Sequence, residues 1–505
     1  MIKDSTIRLA NLWWKSAKNI EEDDKIKEWE NSAIKHDPRL RHKIKYNFAQ
    51  NNTVFYTLRG PRQVGKTTLI KLQIRDFLKS GVNPWNIFYY SCELINSKSE
   101  LVEVIESYLR LSKRHRKKTR SYLFLDEISS VNDWPRGIKW LIENKKFDNS
   151  TVLATSSHVI DILNQTERLP GRKGRSTDPF DKILIPMKFV EFVCIHDKEL
   201  EKFISNNQLL SSTHRAKKFS QLVAKEIPKD VEELYDNYLD DLNNYLYEYL
   251  LTGGIPKIVD EKIKTNFIGA DLYSEYLVGI QGDWKKFKKK EMLLKQFGGA
   301  IIGSYGSSTN WDKLRQQAQL GSWATAQEYA ITLNDLLITT IIQRFGEKKK
   351  IPLIPKEKKI YFHDPFYFHI FNTWLGTKDP FQLAEDYLSK ETNQSHMVEG
   401  VVADHLIRWA FSLAENKHGF DYTNQVLFWK DEKGKEVDFV LYQADKFEVP
   451  IEVKYRNKVD VRELGGLSSF LDETDVKSGL VLSKNELDER RDYLLIPTSV
   501  FLMFM

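Results

Sequence analysis

Thr53-Val-Phe-Tyr-Thr-Leu58-Arg-Gly60-Pro61-Arg62-Gln63-Val64-Gly65-Lys66-Thr67-Thr68 sets a short apolar, β-rich run before a loop bracketed by two glycines. A helix-like segment, Thr67 to Ser80, follows. The loop fits the pattern G-x-x-x-x-G-K-S/T in the one context that separates a phosphate loop from a chance match, after a strand and before a helix. A triphosphate needs many donors converging on its oxygens. Glycines let backbone N–H groups curl around the phosphates, and the following helix offers its positive end. Residues Gly60, Pro61, Arg62, Gln63, Val64, Gly65, Lys66, Thr67 and Thr68 are therefore the expected nucleotide-binding loop, with Lys66 on the β- and γ-phosphates and Thr67 on Mg²⁺.

Further along the chain, Tyr122-Leu-Phe-Leu-Asp126-Glu127 is an apolar strand that delivers two carboxylates at its C-terminal end, where open α/β sheets bind ligands. Asp126 is expected to support Mg²⁺ through its water shell, and Glu127 to polarise the attacking water as general base. Val152-Leu-Ala-Thr155-Ser156-Ser157 is a further strand ending in hydroxyls, of which Ser156 is read as the sensor of the lytic water. Arg168, Arg172 and Arg175 cluster next, and Arg172 is the candidate arginine finger, acting in cis or across a subunit interface. Apolar runs at Ile87–Tyr90 and Lys182–Ile185 complete a pattern of strands alternating with helices, which implies a parallel α/β sheet covered on both faces.

These motifs, with Leu169-Pro-Gly-Arg172, Pro186-Met-Lys-Phe-Val-Glu191-Phe192 and Gly253-Gly-Ile-Pro256, occur in an order that resembles a family of archaeal and bacterial AAA+-like P-loop ATPases. That family is similar to the STAND-related branch, and it commonly carries a winged helix and a nuclease-like C-terminal domain. The resemblance implies ATP as the nucleotide. The chain departs from the family in having Ala154-Thr155-Ser156-Ser157 where Thr-Gly-Ser-Ser is usual.

Downstream, residues 196–295 lack strand alternation and read as a helical lid, broken at Gly253-Gly254-Ile255-Pro256. In 296–375, Thr309 is a possible cap for a helix running to Ala318, and Gln319-Leu-Gly321-Ser322 makes a tight turn into a second helix, Trp323 to Leu337. On that second helix Ala326, Ala330, Leu333 and Leu337 share one face, while Thr325, Gln327, Glu328, Thr332 and Asn334 are expected to look outward. Strands at Ile338–Gln343 and Lys358–Phe362 follow, with Glu347-Lys-Lys-Lys350 as the wing tip of a winged-helix outline. Outward amides and hydroxyls suit base edges and a lysine-rich wing suits phosphates, so DNA is the expected partner.

The last segment, 390–505, places Glu399 on a helix, Asp438 on one strand, and Glu452 and Lys454 on another, where alternation puts the latter two on one face. Carboxylates so arranged can hold Mg²⁺, or Mn²⁺, through oxygen ligands, with the lysine steadying a hydroxide or phosphate. The order of elements resembles the PD-(D/E)xK nuclease superfamily, which implies Glu399, Asp438 and Glu452 as metal ligands and Lys454 as the catalytic lysine. Nuclease activity is a separate matter from this fold. The terminal apolar run, Tyr493 to Met505, is too short for a membrane span and reads as a final buried strand.

With 505 residues, 41% hydrophobic and 12% aromatic, the chain has apolar material for several cores, which excludes wholesale disorder. Residues 1–50 read as an N-terminal helical arm and 51–195 as the P-loop ATPase core. Two cysteines, Cys92 and Cys194, cannot make a disulfide framework, and charged residues near the N-terminus argue against a signal peptide. A cytoplasmic protein is expected, possible as a homo-oligomer. Its net charge of +6 from 76 Lys+Arg against 70 Asp+Glu says nothing about where the charge sits. The whole is read as an ATPase coupled to nucleic-acid binding or processing. The competing readings are an ATP-dependent DNA nuclease, a nucleotide-driven switch with an inactive nuclease-like domain, and an ATPase whose C-terminal parts only assemble an oligomer.

Overall fold

The computed structural model describes residues 3–46, 53–157, 180–287, 289–413, 422–444 and 446–505. They fall into two compact units, one reaching Ile185 and the other starting at Pro186.

The first unit is built on five parallel strands: β1 (Val54–Arg59), β2 (Ile87–Ser91), β3 (Ser121–Asp126), β4 (Ser150–Ser156) and β5 (Asp181–Ile183), in the order β2-β3-β4-β1-β5. β1, β3 and β4 are buried along their whole length, as strands covered on both faces must be, which is why they read as continuous apolar runs. Helix α1 (Lys66–Lys79) follows β1 through the phosphate-loop sequence. The decisive feature of the topology is β4, which lies between β1 and β3. Its C-terminal hydroxyls thus fall between Lys66 and the Asp126–Glu127 pair.

The N-terminal residues pack on this sheet. Ile7, Trp13, Trp14, Ile20 and Ile26 belong to the same apolar core as β1 to β4. The edge strand β2 would otherwise present unpaired backbone groups. Asn11 closes that edge: its amide donates to Tyr89 O at 3.0 Å and its Oδ1 accepts from Tyr89 N at 2.8 Å, and the Trp13 and Trp14 indoles donate to Ile87 O.

The second unit begins with helices, the longest being α2 (Lys229–Thr252). It stops at Gly253, whose φ of +65° is a conformation that L side chains rarely adopt. A Cβ there would also lie 1.8 Å from Asp364 Oδ1, so the Gly-Gly-Ile-Pro break marks a close packing point as well as a helix end. Asp364 Oδ2 accepts from Gly254 N at 2.8 Å.

Two short helices follow, α3 (Trp311–Gln317) and α4 (Trp323–Asp335). The cap of α3 is Asn310, which accepts from Lys313 N at 2.8 Å, rather than Thr309; Thr309 instead pairs through its backbone with Lys358. On α4, Ala326, Ala330 and Leu333 are buried, as is Leu337 just beyond it. Thr332, expected outside, is buried too, because its hydroxyl accepts from Lys289 Nζ at 2.7 Å and donates to Glu328 O.

Strands β6 (Thr339–Gly346), β7 (Ile351–Pro352) and β8 (Lys358–Phe362) then form an antiparallel set on β6. β6 also pairs in parallel with β9 (Val426–Lys430), so this set continues into β10 (Glu436–Gln443), β11 (Phe447–Val453), β12 (Gly479–Ser483), β14 (Tyr493–Pro497) and β13 (Asp488–Glu489). One nine-stranded sheet therefore joins the strands of 339–362 to those of 426–497. Helix α5 (Glu391–Leu413) packs on β8, β9, β10 and β11. The apolar tail divides into β14 and one helical turn, Thr498–Leu502, because Pro497 has no N–H to carry the ladder further. No helix among the described residues is long and apolar enough to cross a membrane.

Candidate functional site

At the C-terminal ends of β1, β3 and β4 the loop, the acids and the hydroxyls meet. Gln63 and Gly65 have positive φ, +59° and +102°, which turns the loop back on itself, and only at Gly65 is this free of side-chain strain. Lys66 is almost wholly buried. Its ammonium donates to Gly60 O and Pro61 O at 2.9 Å each and stands 3.4 Å from Glu127 Oε1. Thr67 Oγ1 donates to Asp126 Oδ2 at 2.7 Å. Asp126 is buried and also accepts from the Tyr89 hydroxyl at 3.1 Å and from Thr155 Oγ1. Burial and the Asp126 charge push the Tyr89 phenol up, so it remains a donor.

Glu127 sits at φ +50°, a left-handed position that turns its side chain out of the strand direction. Its Oε2 accepts from Ser157 Oγ at 2.8 Å and Ser157 N at 3.2 Å, and its own N–H donates to Thr155 Oγ1 at 2.8 Å. Thus Thr155 and Ser157 contact the acids. Ser156, between them on a strand whose side chains alternate, is buried and in register with Arg59 of β1. Arg168, Arg172 and Arg175 lie outside the described residues.

In the second unit, Glu399 from α5, Asp438 from β10, and Glu452 and Lys454 at the end of β11 also converge, and all three acids are buried or nearly so. Lys454 bonds Glu452 Oε1. Asp438 N donates to Glu452 Oε2 at 3.3 Å, and Asp438 Oδ2 accepts from Val453 N at 2.9 Å. The cluster has a further member. Lys359 of β8 is 1% exposed and places Nζ 2.9 Å from Glu399 Oε1 and 2.8 Å from Asp438 Oδ1 and Glu436 Oε1. Tyr361, on the same face of β8, donates to Glu399 Oε1. Burial together with the neighbouring Asp438 charge lifts Glu399 to about 7 and Glu452 to about 8. Asp438 is held below the usual carboxylate range because the attraction of Lys359 and Lys454 outweighs its burial.

The expected metal does not fit this arrangement. Among the described residues no group of three His, Cys, Asp or Glu side chains is disposed to hold a metal ion. Glu399, Asp438 and Glu452 point at two ammonium groups. At the phosphate loop the donors do suit Mg²⁺, since a threonine hydroxyl and a buried carboxylate stand side by side and the remaining positions belong to phosphate and water.

Residues 52–193 match the family described as AAA domain. The parallel five-stranded sheet formed by the described residues among them matches a P-loop NTPase core. Residues 394–501 match a domain of unknown function, DUF4143. No curated protein matches the chain. Among solved structures, the Walker-type ATPase PABY2304 of Pyrococcus abyssi is 15% identical over 70% of this chain and 95% of its own, with a TM-score of 0.36. Cdc6p from Pyrobaculum aerophilum is 11% identical over the same shares, with a TM-score of 0.24. Scores this low add no weight to the family match.

Lys359, Thr155 and Ser157 are the site residues that motif reading passes over. Lys359 had a signal: in Lys358-Lys-Ile-Tyr-Phe362 Lys359 and Tyr361 share one face of a short strand, and ionisable side chains on a strand that enters the core ask for buried partners.

Proposed function

We propose that the chain binds and hydrolyses ATP with Mg²⁺ and couples this cycle to DNA through its second unit. The observation that carries the ATPase reading is the set of contacts Thr67–Asp126, Lys66–Glu127 and Ser157–Glu127, which gathers the phosphate loop and both acids at the C-terminal ends of the central strands. In this reading Lys66 exchanges the Gly60 and Pro61 carbonyls for β- and γ-phosphate oxygens. Thr67 and Asp126 hold Mg²⁺, which supplies charge neutralisation at the phosphates. Glu127, oriented by Ser157, takes the proton of the attacking water. Thr155 is a positioning residue, since it bonds the Asp126 side chain and the Glu127 backbone at once.

The DNA reading is supported by the turn between β6 and β7. Lys348 and Lys349 project from it, whereas Lys350 is paired with Glu448. Charged turns of this kind contact phosphates without reading sequence. The Lys359 contacts favour a non-cleaving role for the C-terminal segment, so the nucleotide-driven switch is preferred over the nuclease. Steady-state ATP turnover measured with and without duplex DNA tests the coupling. Stimulation that disappears as salt is raised is expected; turnover indifferent to DNA at low salt rejects the coupling while leaving the ATPase intact.

A further inference from the structure

The acid cluster of the second unit is arranged around a cation, and that cation belongs to the chain. A lysine ammonium has three N–H donors. Lys359 has three carboxylate oxygens, from Glu399, Asp438 and Glu436, at 2.8 to 2.9 Å, so its donors are fully engaged. On the other side of Asp438 the remaining acid, Glu452, is bound by Lys454 and by Asp438 N. A divalent ion ligated by Glu399 and Asp438 draws on the same two carboxylates, at about 2.0–2.6 Å and with positions left for water. Lys359 Nζ already stands between Glu399 Oε1 and Asp438 Oδ1. A second positive charge beside it, in a site this buried, is opposed by repulsion that solvent does not screen.

The position of Lys359 in the chain strengthens the point. It comes from β8, 40 residues before Glu399 and 79 before Asp438, and reaches them because β8 pairs with β6 and α5 packs over both β8 and β10. The ammonium therefore ties the strands of 339–362 to the acids of α5 and β10.

We propose that Lys359 is the resident cation of this cluster, standing where Mg²⁺ or Mn²⁺ would stand, so that the C-terminal segment takes no divalent metal and does not cut DNA by a metal-dependent route. The lysine neutralises the acids and fixes the helix and strands that carry them.

The test is Mn²⁺ binding to the nucleotide-free full chain, read by the loss of the free-ion electron paramagnetic resonance signal. Asp126→Asn is present throughout, to remove any contribution from the phosphate loop. With Lys359 in place, no Mn²⁺ bound at the cluster is expected. Lys359→Ala, which removes the charge and opens space, is expected to take up one Mn²⁺ per chain at least about tenfold more tightly, and adding Asp438→Asn is expected to abolish that gain. Two results overturn the proposal: Mn²⁺ bound by the Lys359 protein and lost on Asp438→Asn, or a folded Lys359→Ala protein that gains no Mn²⁺. Should Lys359→Ala fail to fold, the Lys359 protein still decides, since Mn²⁺-dependent plasmid nicking that Asp438→Asn removes would also overturn the proposal.

Discussion

At the end of β4 the hydroxyls of Thr155 and, one residue past the strand, Ser157 reach Asp126 and Glu127, and the alternation of the strand assigns Ser156 to its other face. Thr155→Val keeps the shape of the side chain and removes two hydrogen bonds that fix the acids, so kcat for ATP is expected to fall by about tenfold or more, equivalent to about 1.4 kcal/mol. Ser156→Ala is expected to change kcat by less than about threefold. Steady-state kinetics of the two variants checks this, and the reverse order of effects contradicts it. The loop and acid pair were legible because each is a short, continuous motif with its own context. Which hydroxyls contact the acids was not, since a run of hydroxyl residues gives no phase for the alternation until the strand's register with its neighbours is known. Lys359 escaped notice for a different reason: its partners are 40 to 79 residues away, and only the shared sheet brings them together.

At the scale of elements, the helix Pro365–Leu375 is held to the end of α2 by His369, whose Nε2–H donates to Leu250 O at 2.8 Å. The ring is fully buried, its Nδ1 has no hydrogen-bond partner among the described residues, and burial lowers its pKa from 6.5 to about 4. A depressed folded value means that the neutral ring contributes stability fully present above about 6.5 and lost as pH falls through about 4, amounting to about 3 kcal/mol. Urea midpoints between pH 7.5 and 4 are expected to fall, and His369→Gln, which retains an amide donor for Leu250 O, is expected to flatten part of that slope. An unchanged slope in the variant contradicts the assignment. The turn between β6 and β7 carries its own expectation. Lys348→Ala with Lys349→Ala should weaken duplex binding for all sequences alike and reduce the slope of log affinity against log salt by about 2. A variant with the slope of the parent protein removes the turn from the DNA interface.

In the molecule as a whole, a parallel sheet matching a P-loop core precedes a second unit in which one sheet incorporates both the strands of 339–362 and the acid-bearing strands of 426–497. The parallel core was legible from its alternating apolar runs. The shared sheet was not, because strand pairing between β6 and β9 spans some 80 residues and leaves no periodic trace in either segment. We propose that Lys66, Thr67, Asp126 and Glu127 form one ATP-hydrolysing site. The deciding measurement follows γ-phosphate release and bound nucleotide together in the parent protein, Lys66→Ala and Glu127→Gln, each with Mg²⁺. Turnover in the parent, loss of turnover in Lys66→Ala, and ATP retained uncleaved by Glu127→Gln are the expected results. Phosphate release by Glu127→Gln or Lys66→Ala at the parent rate would overturn the assignment of this site.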